Sequence, residues 1–306
     1  MQSNSPTFHS TLATTAPITR GPFLKLLLCA CAMTAHEAWA SIIVQDNFDS
    51  YTSGELLDGK DGGSGWDNGW TADSSVIWQR VFVDGDVAIA PGSSNSIRFD
   101  HAGGGGPTTP QASRLFDVNQ PFIAGEPVYF SAWVQFDDVN AVGQNGGFRV
   151  VGMGDETFSN NTWGFGLNSA GQITPLLRNA DASQSSSQSL QDNTPHLISV
   201  RFIPDMNTTD RDIIDIWIDP LTAPSDLNER GDAWATGGEV SFWWGDSTNW
   251  TGISLRGVAG VGNSFHSWVD DLRVTEEFTA IPEPGTLMLL GIAGIAGLIS
   301  HRRRKR

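Results

Sequence analysis

Cysteine is almost missing from this chain. The sequence has two cysteines, Cys29 and Cys31, and both lie in an apolar run near the N-terminus. The chain after residue 40 therefore contains no thiol, which excludes disulfides, thiolate metal sites and thiol catalysis there.

Positive charge is the second shortage. Two of the 34 acidic and seven of the 18 basic side chains lie outside residues 41–279, which leaves 32 against 11 and a net charge near −21. Lys60 is the single lysine in this range. Such a surface repels nucleic acid and anionic lipid, so neither is an expected partner of the body. The charge favours cations or serves the solubility of an exported protein.

The first forty residues have the pattern of a secretory signal peptide. Arg20 and Lys25 lie at the start of the apolar run 23–35, and a small-x-small site ends at Ala40. This order predicts export through the Sec translocon and cleavage after Ala40. The alternatives are a buried N-terminal helix and a lipoprotein acylated at Cys31.

The C-terminal segment 280–306 has three parts in order. Pro282, Glu283 and Pro284 precede the apolar stretch 285–300, which is followed by a basic cluster. The basic residues are Arg302, Arg303, Arg304, Lys305 and Arg306. A short transmembrane helix is expected, with the basic residues as a cytoplasmic stop and the body outside. At 16 residues it spans about 24 Å, less than a bilayer core of about 30 Å, which favours a temporary anchor.

This tail closely resembles the PEP-CTERM sorting signal of Gram-negative bacteria. The resemblance implies recognition by a membrane-embedded exosortase, which removes or exchanges the tail. It also implies a precursor in the inner membrane and a mature protein at the cell surface or in the extracellular matrix, often with exopolysaccharide systems. The alternative is an ordinary anchor after a chance Pro-Glu-Pro.

Residues 41–279 predict one β domain. Apolar and polar residues alternate in the runs 127–137, 196–203, 212–219 and 268–274, with turn-rich segments between them. Strict alternation places Trp268, Asp270, Leu272 and Val274 on one face of the last strand. The expected fold class is all-β, a two-sheet jelly-roll sandwich.

Three segments of the body resemble concanavalin A-like, laminin-G-like domains of exported bacterial proteins. The first runs from Asp46-Asn47-Phe48-Asp49-Ser50-Tyr51 to Gly62-Gly63-Ser64-Gly65-Trp66 and Trp70. The others are Asp215-Ile216-Trp217-Ile218-Asp219-Pro220 and Trp268-Val269-Asp270-Asp271-Leu272-Arg273-Val274. The resemblance implies the fold, and that superfamily hosts lectins, hydrolases and inert adhesion modules.

No catalytic residues are predicted. The Glu-x-Asp-x-x-Glu strand of laminarinase-like relatives is absent, and His101, His196 and His266 are widely separated, as expected of surface or loop residues. Asp215 and Asp219 share a strand face with Trp217 between them. This pattern indicates either an acidic subsite with a stacking ring or, as the favoured interpretation, a solvent-facing strand surface.

Calcium is the expected metal, if any is bound. Ca²⁺ takes six to eight oxygens and tolerates irregular loops. Asp270 and Asp271 on the last strand, with Asp46 and Asp49 at the first, are the candidate ligands. The resemblance raises this expectation, because concanavalin A-like relatives often carry a structural calcium. Hydrogen bonds from turn amides are the alternative.

Tryptophan is abundant, and 11 of the 12 lie in the body. Flat rings stack on sugars and also fill β-sandwich cores. Trp243 and Trp244 are adjacent, so one points outward on a strand, and Trp250 follows a polar loop. These three are the candidate ligand-binding residues for an extracellular polysaccharide.

The sequence therefore predicts a non-catalytic, exported surface or matrix protein that binds polysaccharide. A purely structural or adhesive protein and a divergent carbohydrate-active hydrolase are the alternatives.

Overall fold

The structure of the chain is a computed structural model. It describes residues 42–72, 79–101, 110–121, 123, 125–139, 149–152, 163–168, 170–177, 180–204, 212–238, 249–256 and 265–280. Within these ranges the regular structure is fifteen β-strands, with no helix. The strands are β1 (Ile42–Asp46), β2 (Thr71–Ala72), β3 (Gln79–Asp84), β4 (Ser96–His101), β5 (Gln111–Pro121), β6 (Val128–Phe136), β7 (Arg149–Gly152), β8 (Trp163–Leu167), β9 (Ile173–Leu177), β10 (Ala182–Gln184), β11 (His196–Ile203), β12 (Asp212–Ile218), β13 (Ala233–Gly238), β14 (Asn249–Arg256) and β15 (Phe265–Thr275).

The strands form two antiparallel sheets. The larger sheet has the order β10-β13-β12-β11-β6-β15-β4-β3, and β1 also pairs with β15. The smaller sheet has the order β2-β5-β14-β7-β8-β9. Because β15 has eleven residues, it pairs with β6 on one side and with β4 and then β1 on the other. The expected fold class, an all-β jelly-roll sandwich, is confirmed.

The predicted alternation is confirmed in the central strands of the larger sheet. Along β6 and β11 every second side chain is buried in the hydrophobic core between the sheets. These core residues are Phe130, Ala132, Val134 and Phe136 of β6 and Ile198, Val200 and Phe202 of β11. The Phe202 ring stacks on Trp163 of the smaller sheet, with ring centroids 4.7 Å apart. The alternate side chains of these strands therefore face away from the core.

The last strand departs from strict alternation. The register of β15 against β6 shifts after Asp270, and Asp271 has a left-handed backbone with φ 45°. A β-bulge of this kind inserts one residue and reverses the phase of the side chains. Val269 and Leu272 consequently both join the core, whereas Trp268 does not. The prediction that Asp270 shares a face with Leu272 is therefore wrong.

Across the described ranges, no helix has the length and apolarity needed to cross a bilayer. The predicted span at 285–300 and the predicted signal peptide lie outside those ranges.

Candidate functional site

The outer face of the larger sheet, which points away from the core, carries several rows of polar and aromatic side chains. Cross-strand pairing arranges these side chains in rows. One row is Trp234, Asp215, Arg201 and Tyr129, from β13 to β6. A second row is Gln135, Trp268, Arg98 and Phe82, from β6 to β3, and a third is His266, Asp100 and Arg80. Aromatic, acidic and basic side chains thus alternate across neighbouring strands.

One end of the outer face is covered. Arg201 donates a hydrogen bond from Nη2 to Oδ2 of Asp215 over 2.8 Å, and both side chains are fully buried. A loop at 221–231, here called the roof loop, lies over the pair and accepts further hydrogen bonds from the guanidinium. Its acceptors are the carbonyl oxygens of Asp226, Leu227 and Glu229. The buried charge is therefore compensated by one carboxylate and several backbone dipoles.

The segment 276–280, here called the strap, crosses the same face. Phe278 packs edge-on against Trp217 and Tyr129, with ring centroids 4.9 and 5.8 Å apart. Ser199 donates a hydrogen bond from Oγ to the carbonyl oxygen of Thr279 over 2.6 Å. The strap and the roof loop lie over one end of the outer face, here called the covered end, which contains Tyr129, Arg201, Asp215 and Trp217.

This covering corrects the interpretation of the Asp215–Trp217–Asp219 pattern. The sequence favours a solvent-facing strand surface, yet Asp215 and Trp217 are buried. The alternation itself was right, because Ile214 and Ile216 face the core. The pattern gave the face of each side chain but carried no information about the chain segments that cover that face.

The opposite end of the outer face is open, and a histidine lies between two carboxylates there. Nδ1 of His266 is 2.6 Å from Oδ2 of Asp137, and Nε2 is 3.4 Å from Oδ1 of Asp100. The backbone N–H of His266 also donates to Oδ1 of Asp137 over 2.7 Å. The His266 side chain is 42% exposed, so its ring edge is accessible to a ligand.

The charges at this site stabilise one another. The hydrogen bond to Asp137 raises the pKa of His266 above its ordinary value of 6.5, although partial burial opposes the shift. Burial alone raises the pKa of Asp137, but the ring and backbone hydrogen bonds from His266 outweigh it and lower that pKa below 3.8. Near neutral pH the pair therefore tends toward imidazolium and carboxylate.

Arg98 is fixed beside this pair. Its Nε donates to Oδ1 of Asp100 and its Nη1 to Oδ2 of Asp84, each over 3.0 Å. Asp84 also accepts from the Trp268 indole over 3.0 Å, and the guanidinium lies 4.0 Å from the centroid of the Phe82 ring. The guanidinium is thus held in one orientation by two carboxylates and an aromatic ring.

Trp133 lies on the outer side of the same central strand that leads to Asp137. It is partly exposed, and Gln135 lies between them on the same face. Four residues of extended strand span about 13 Å. We define the open end by three sets of residues. These are Trp133 and Gln135, the charged cluster of Arg98, Asp100, Asp137 and His266, and the Phe82 ring that packs against Arg98.

The first predicted calcium ligand, Asp46, is enclosed by hydrogen-bond donors. Its Oδ2 accepts from Tyr51 over 2.6 Å, from the Trp70 indole over 2.9 Å and from Arg114 Nη1 over 3.0 Å. Its Oδ1 accepts from the backbone N–H of Phe48. Burial raises the pKa of Asp46, and these four donors oppose that shift. This cluster joins β1 of the larger sheet to β5 of the smaller one.

The other three predicted calcium ligands lie around the point where β1 and β4 meet along β15. Asp49 and Asp270 both accept hydrogen bonds from the loop that precedes β4, and Asp271 is paired with Arg273 over 2.7 Å. Burial raises the pKa of Asp270 to about 6. Among the residues that the structure describes, no three histidine, aspartate or glutamate side chains are grouped to hold a metal ion. Calcium binding stays a prediction.

The predicted tryptophan platform falls largely outside the described residues. Trp243 and Trp244 lie in the segment 239–248, which the structure does not describe. The backbone of Trp250 belongs to β14 and pairs with Gln120 of β5, in the smaller sheet. These three residues stay a prediction.

Several residues of the open end were not singled out by any sequence pattern. His266 is a surface residue, as the sequence predicts, and it lies on β15 between two carboxylates. His196 is buried on β11 and bonded to Asp219, which differs from the expectation of a surface or loop residue. Arg98 and Asp100 are two residues apart and share one face of β4, which was the available signal. Their partners come from distant parts of the chain.

The tail can now be set beside known families. Residues 280–305 match the family model described as the PEP-CTERM protein-sorting motif. The C-terminal segment is a PEP-CTERM sorting motif. The motif implies an exported protein with a membrane-anchored precursor that is processed by an exosortase.

The body, which precedes the PEP-CTERM motif, is similar to several solved β-sandwich structures. The globular domain of T. cruzi calreticulin has 13% identity and a TM-score of 0.45, covering 78% of this chain and 88% of that chain. Alginate lyase Aly36B with alginate trisaccharide has 11% identity and a TM-score of 0.46, covering 77% and 98%. Lectin II from Ulex europaeus has 9% identity and a TM-score of 0.39, covering 77% and 99%. Curated protein sequences give no match.

Proposed function

We propose that this exported protein is a non-catalytic polysaccharide-binding protein of the cell surface or extracellular matrix, and that it binds through the open end. One observation carries the proposal. A partly exposed tryptophan, Trp133, lies on the same sheet face as the partly exposed group of Arg98, Asp100, Asp137 and His266.

The chemistry of the open end suits sugar hydroxyls. Carboxylates accept hydrogen bonds from hydroxyl groups, and the guanidinium and imidazolium donate to them. The charged groups are already oriented by bonds among themselves, which lowers the entropy lost on binding. A flat ring such as that of Trp133 offers an apolar face to the C–H groups of a sugar.

Charge narrows the class of polysaccharide. The body carries a net charge near −21, which repels polyuronates and sulfated glycans at low ionic strength. The open end itself is mixed, with Arg98 and His266 beside Asp84, Asp100 and Asp137. We therefore expect neutral or amino-sugar polysaccharides to be preferred over acidic ones.

The lowered pKa of Asp137 supports a binding role over glycoside hydrolysis. A general acid in a glycosidase needs a carboxyl whose pKa is raised, so that it stays protonated near neutral pH. His266 lowers the pKa of Asp137 and so favours the opposite state.

Retention on immobilised polysaccharides tests the proposal. The signal-free chain is passed over a neutral β-glucan, chitosan and alginate, and binding is measured for wild type and for Trp133→Ala and Arg98→Met. Each substitution is expected to weaken binding about tenfold or more, equivalent to about 1.4 kcal/mol. Trp234→Ala is the matched control, because Trp234 is partly exposed on the same face at the covered end.

Two outcomes would redirect the proposal. A folded chain that is retained on no polysaccharide would favour the structural or adhesive alternative. The half-exposed His266, with its raised pKa between two carboxylates, is the observation that favours an enzyme instead. If the protein releases sugar or unsaturated ends from a polysaccharide, and His266→Gln or Asp137→Asn abolishes this release, the protein is an enzyme.

A further inference from the structure

The strap connects the body directly to the sorting motif. Phe278 is packed between Tyr129 and Trp217, and the carbonyl of Thr279 is hydrogen-bonded to Ser199. The PEP-CTERM motif begins at residue 280, the next position along the chain. The chain therefore leaves the body from the outer face of the larger sheet, and not from an edge of the sandwich.

The tether between strap and membrane segment is short. Residues 281–284 separate Ala280 from the apolar stretch that begins at Gly285. Five residue steps reach at most about 18 Å in a fully extended chain. Pro282 and Pro284 further restrict the tether, because each fixes its own backbone φ.

This reach leaves almost no free length for the chain to pass around the sandwich. The Ser199 hydrogen bond lies over β11, and β12, β13 and β10 separate it from the nearer edge of the sheet. Three strands occupy about 14 Å, and the second sheet lies about 10 Å further away. To pass the near end of β11, the chain must run about 10 Å along the strand and then about 10 Å from the larger sheet to the smaller one. Measured from Thr279, one residue before Ala280, the reach is about 22 Å. The route around the sheet edge exceeds this reach, and the route past the strand end takes almost all of it.

We propose that the outer face of the larger sheet is the surface that the anchored precursor turns toward the lipid bilayer, with the strap fixing this orientation. The roof loop presents two exposed leucines, Leu221 and Leu227, on that surface. Glu276 and Glu277 of the strap are exposed and acidic. Contact is therefore with zwitterionic lipid, and anionic lipid weakens it. The face is set by the exit point of the chain, so the inference does not depend on polysaccharide binding.

One consequence does rest on the proposed function. The open end lies on the same face, so the precursor is oriented with its polysaccharide site toward the membrane. Removal of the tail frees that site, and the processed body should bind polysaccharide better than the vesicle-bound precursor.

Single-cysteine labelling tests the orientation. Both native cysteines precede residue 40, so the chain from residue 41 onward has none and each label is unique. Leu227→Cys places a fluorophore on the roof loop, and Thr71→Cys places one on the smaller sheet, where Ala72 faces the core and Thr71 is exposed. Residues 41–306 are reconstituted in phosphatidylcholine vesicles that carry a quencher on the lipid head group. The label at 227 is expected to be quenched at least about twofold more than the label at 71.

Two changes to the tether provide the controls. Insertion of about twelve Gly and Ser residues after Ala280 should abolish the difference while the chain stays vesicle-bound, because the longer tether lets the body turn. Phe278→Ala should reduce the difference, whereas Glu277→Ala in the same strap should leave it unchanged. Equal quenching of both labels in the unmodified tether, or stronger quenching at 71, would overturn the proposal.

Discussion

The two ends of the outer face carry the same types of side chain in different surroundings. At the covered end, Arg201 is paired with Asp215 close to Trp217. At the open end, Arg98 is paired with Asp84 close to Trp268. The covered pair is fully buried under the roof loop, whereas the Arg98 side chain keeps 29% of its exposure. Side-chain chemistry alone therefore does not distinguish an internal support from an interaction surface. The loops laid over the sheet make that distinction.

The largest expected effect is at the covered end. Arg201→Met removes the guanidinium whose Nη2 lies 2.8 Å from Oδ2 of the buried Asp215, and Arg230 remains at 3.4 Å from Oδ1. Loss of one partner of a buried pair costs about 3–5 kcal/mol, and the longer contacts from Arg230 and the Gly231 N–H compensate the buried charge of Asp215 less well. For a chain of this size the Tm should fall by roughly 6–20 °C. Thermal and urea unfolding followed by circular dichroism measure the change.

Arg98→Met is the matched control for that prediction. The same substitution at the open end should cost about 1 kcal/mol or less, because Arg98 is partly exposed and the buried Asp84 keeps hydrogen bonds from the Trp268 indole and the Asp86 N–H. Equal losses at Arg201 and Arg98 would break the comparison, since they would mean that cover makes no energetic difference.

Bound calcium would also stabilise the fold, at the point where β1 and β4 meet along β15. With calcium about 100-fold above its Kd, binding stabilises the fold by about 2.7 kcal/mol. Addition of EGTA should then lower the Tm by roughly 5–11 °C, and Asp270→Asn should abolish this response. Magnesium at the same concentration should not restore the Tm. An unchanged Tm with EGTA would leave hydrogen bonds as the only neutralisation of Asp270, and the calcium prediction would be wrong.

The strap should contribute less than the buried ion pair. Phe278 is only partly buried, so Phe278→Ala is expected to cost about 1 kcal/mol, well below the 3–5 kcal/mol of a core phenylalanine. The loss should appear in urea unfolding of the chain without its tail, ending at residue 280. Glu277→Ala, at an exposed neighbour, should be neutral. If Phe278→Ala is neutral as well, the strap is not docked in solution, and the orientation of the precursor loses its basis.

The sequence was sufficient for the central strands and for which of their side chains face inward. β11 has the predicted bounds, and β6 lies within the predicted run. Alternation succeeded because both strands are regular and have one face in the core. It failed after Asp270, because a β-bulge reverses the alternation of side chains. The local sequence Asp-Asp-Leu does not indicate this bulge.

The candidate site was less predictable than the fold, because its partners are distant in the chain. The sequence singles out the first segment, which contains Asp46. The arginine that binds the Asp46 carboxylate, Arg114, lies 68 residues away in the chain. His266 and Asp137 are 129 residues apart and meet only when β15 pairs beside β6. Pattern in one strand cannot specify which strand lies next to it, and so neither pair was foreseen.

The smallest expected effect is a pH-dependent one at the open end. The raised pKa of His266 means that its contribution is present below about pH 6.5 and is lost as the pH rises through the raised value. The lowered pKa of Asp137 means that its contribution is present above about pH 3.8 and is lost as the pH falls through the lowered value. The pair therefore stabilises the fold most between these limits.

His266→Gln keeps a polar side chain and removes the titration. Because the ring is 42% exposed, the expected loss at about pH 5.5 is only about 0.5 kcal/mol in the free energy of unfolding. The difference from wild type should shrink near pH 9 and in high salt, and Asp137→Asn should show the same window without adding to it in the double variant. A difference that persists unchanged at pH 9 would mean that the two side chains share a neutral hydrogen bond. The open end would then present one positive charge fewer to a ligand than proposed, and the expected preference for neutral polysaccharides would rest on the charge of the body alone.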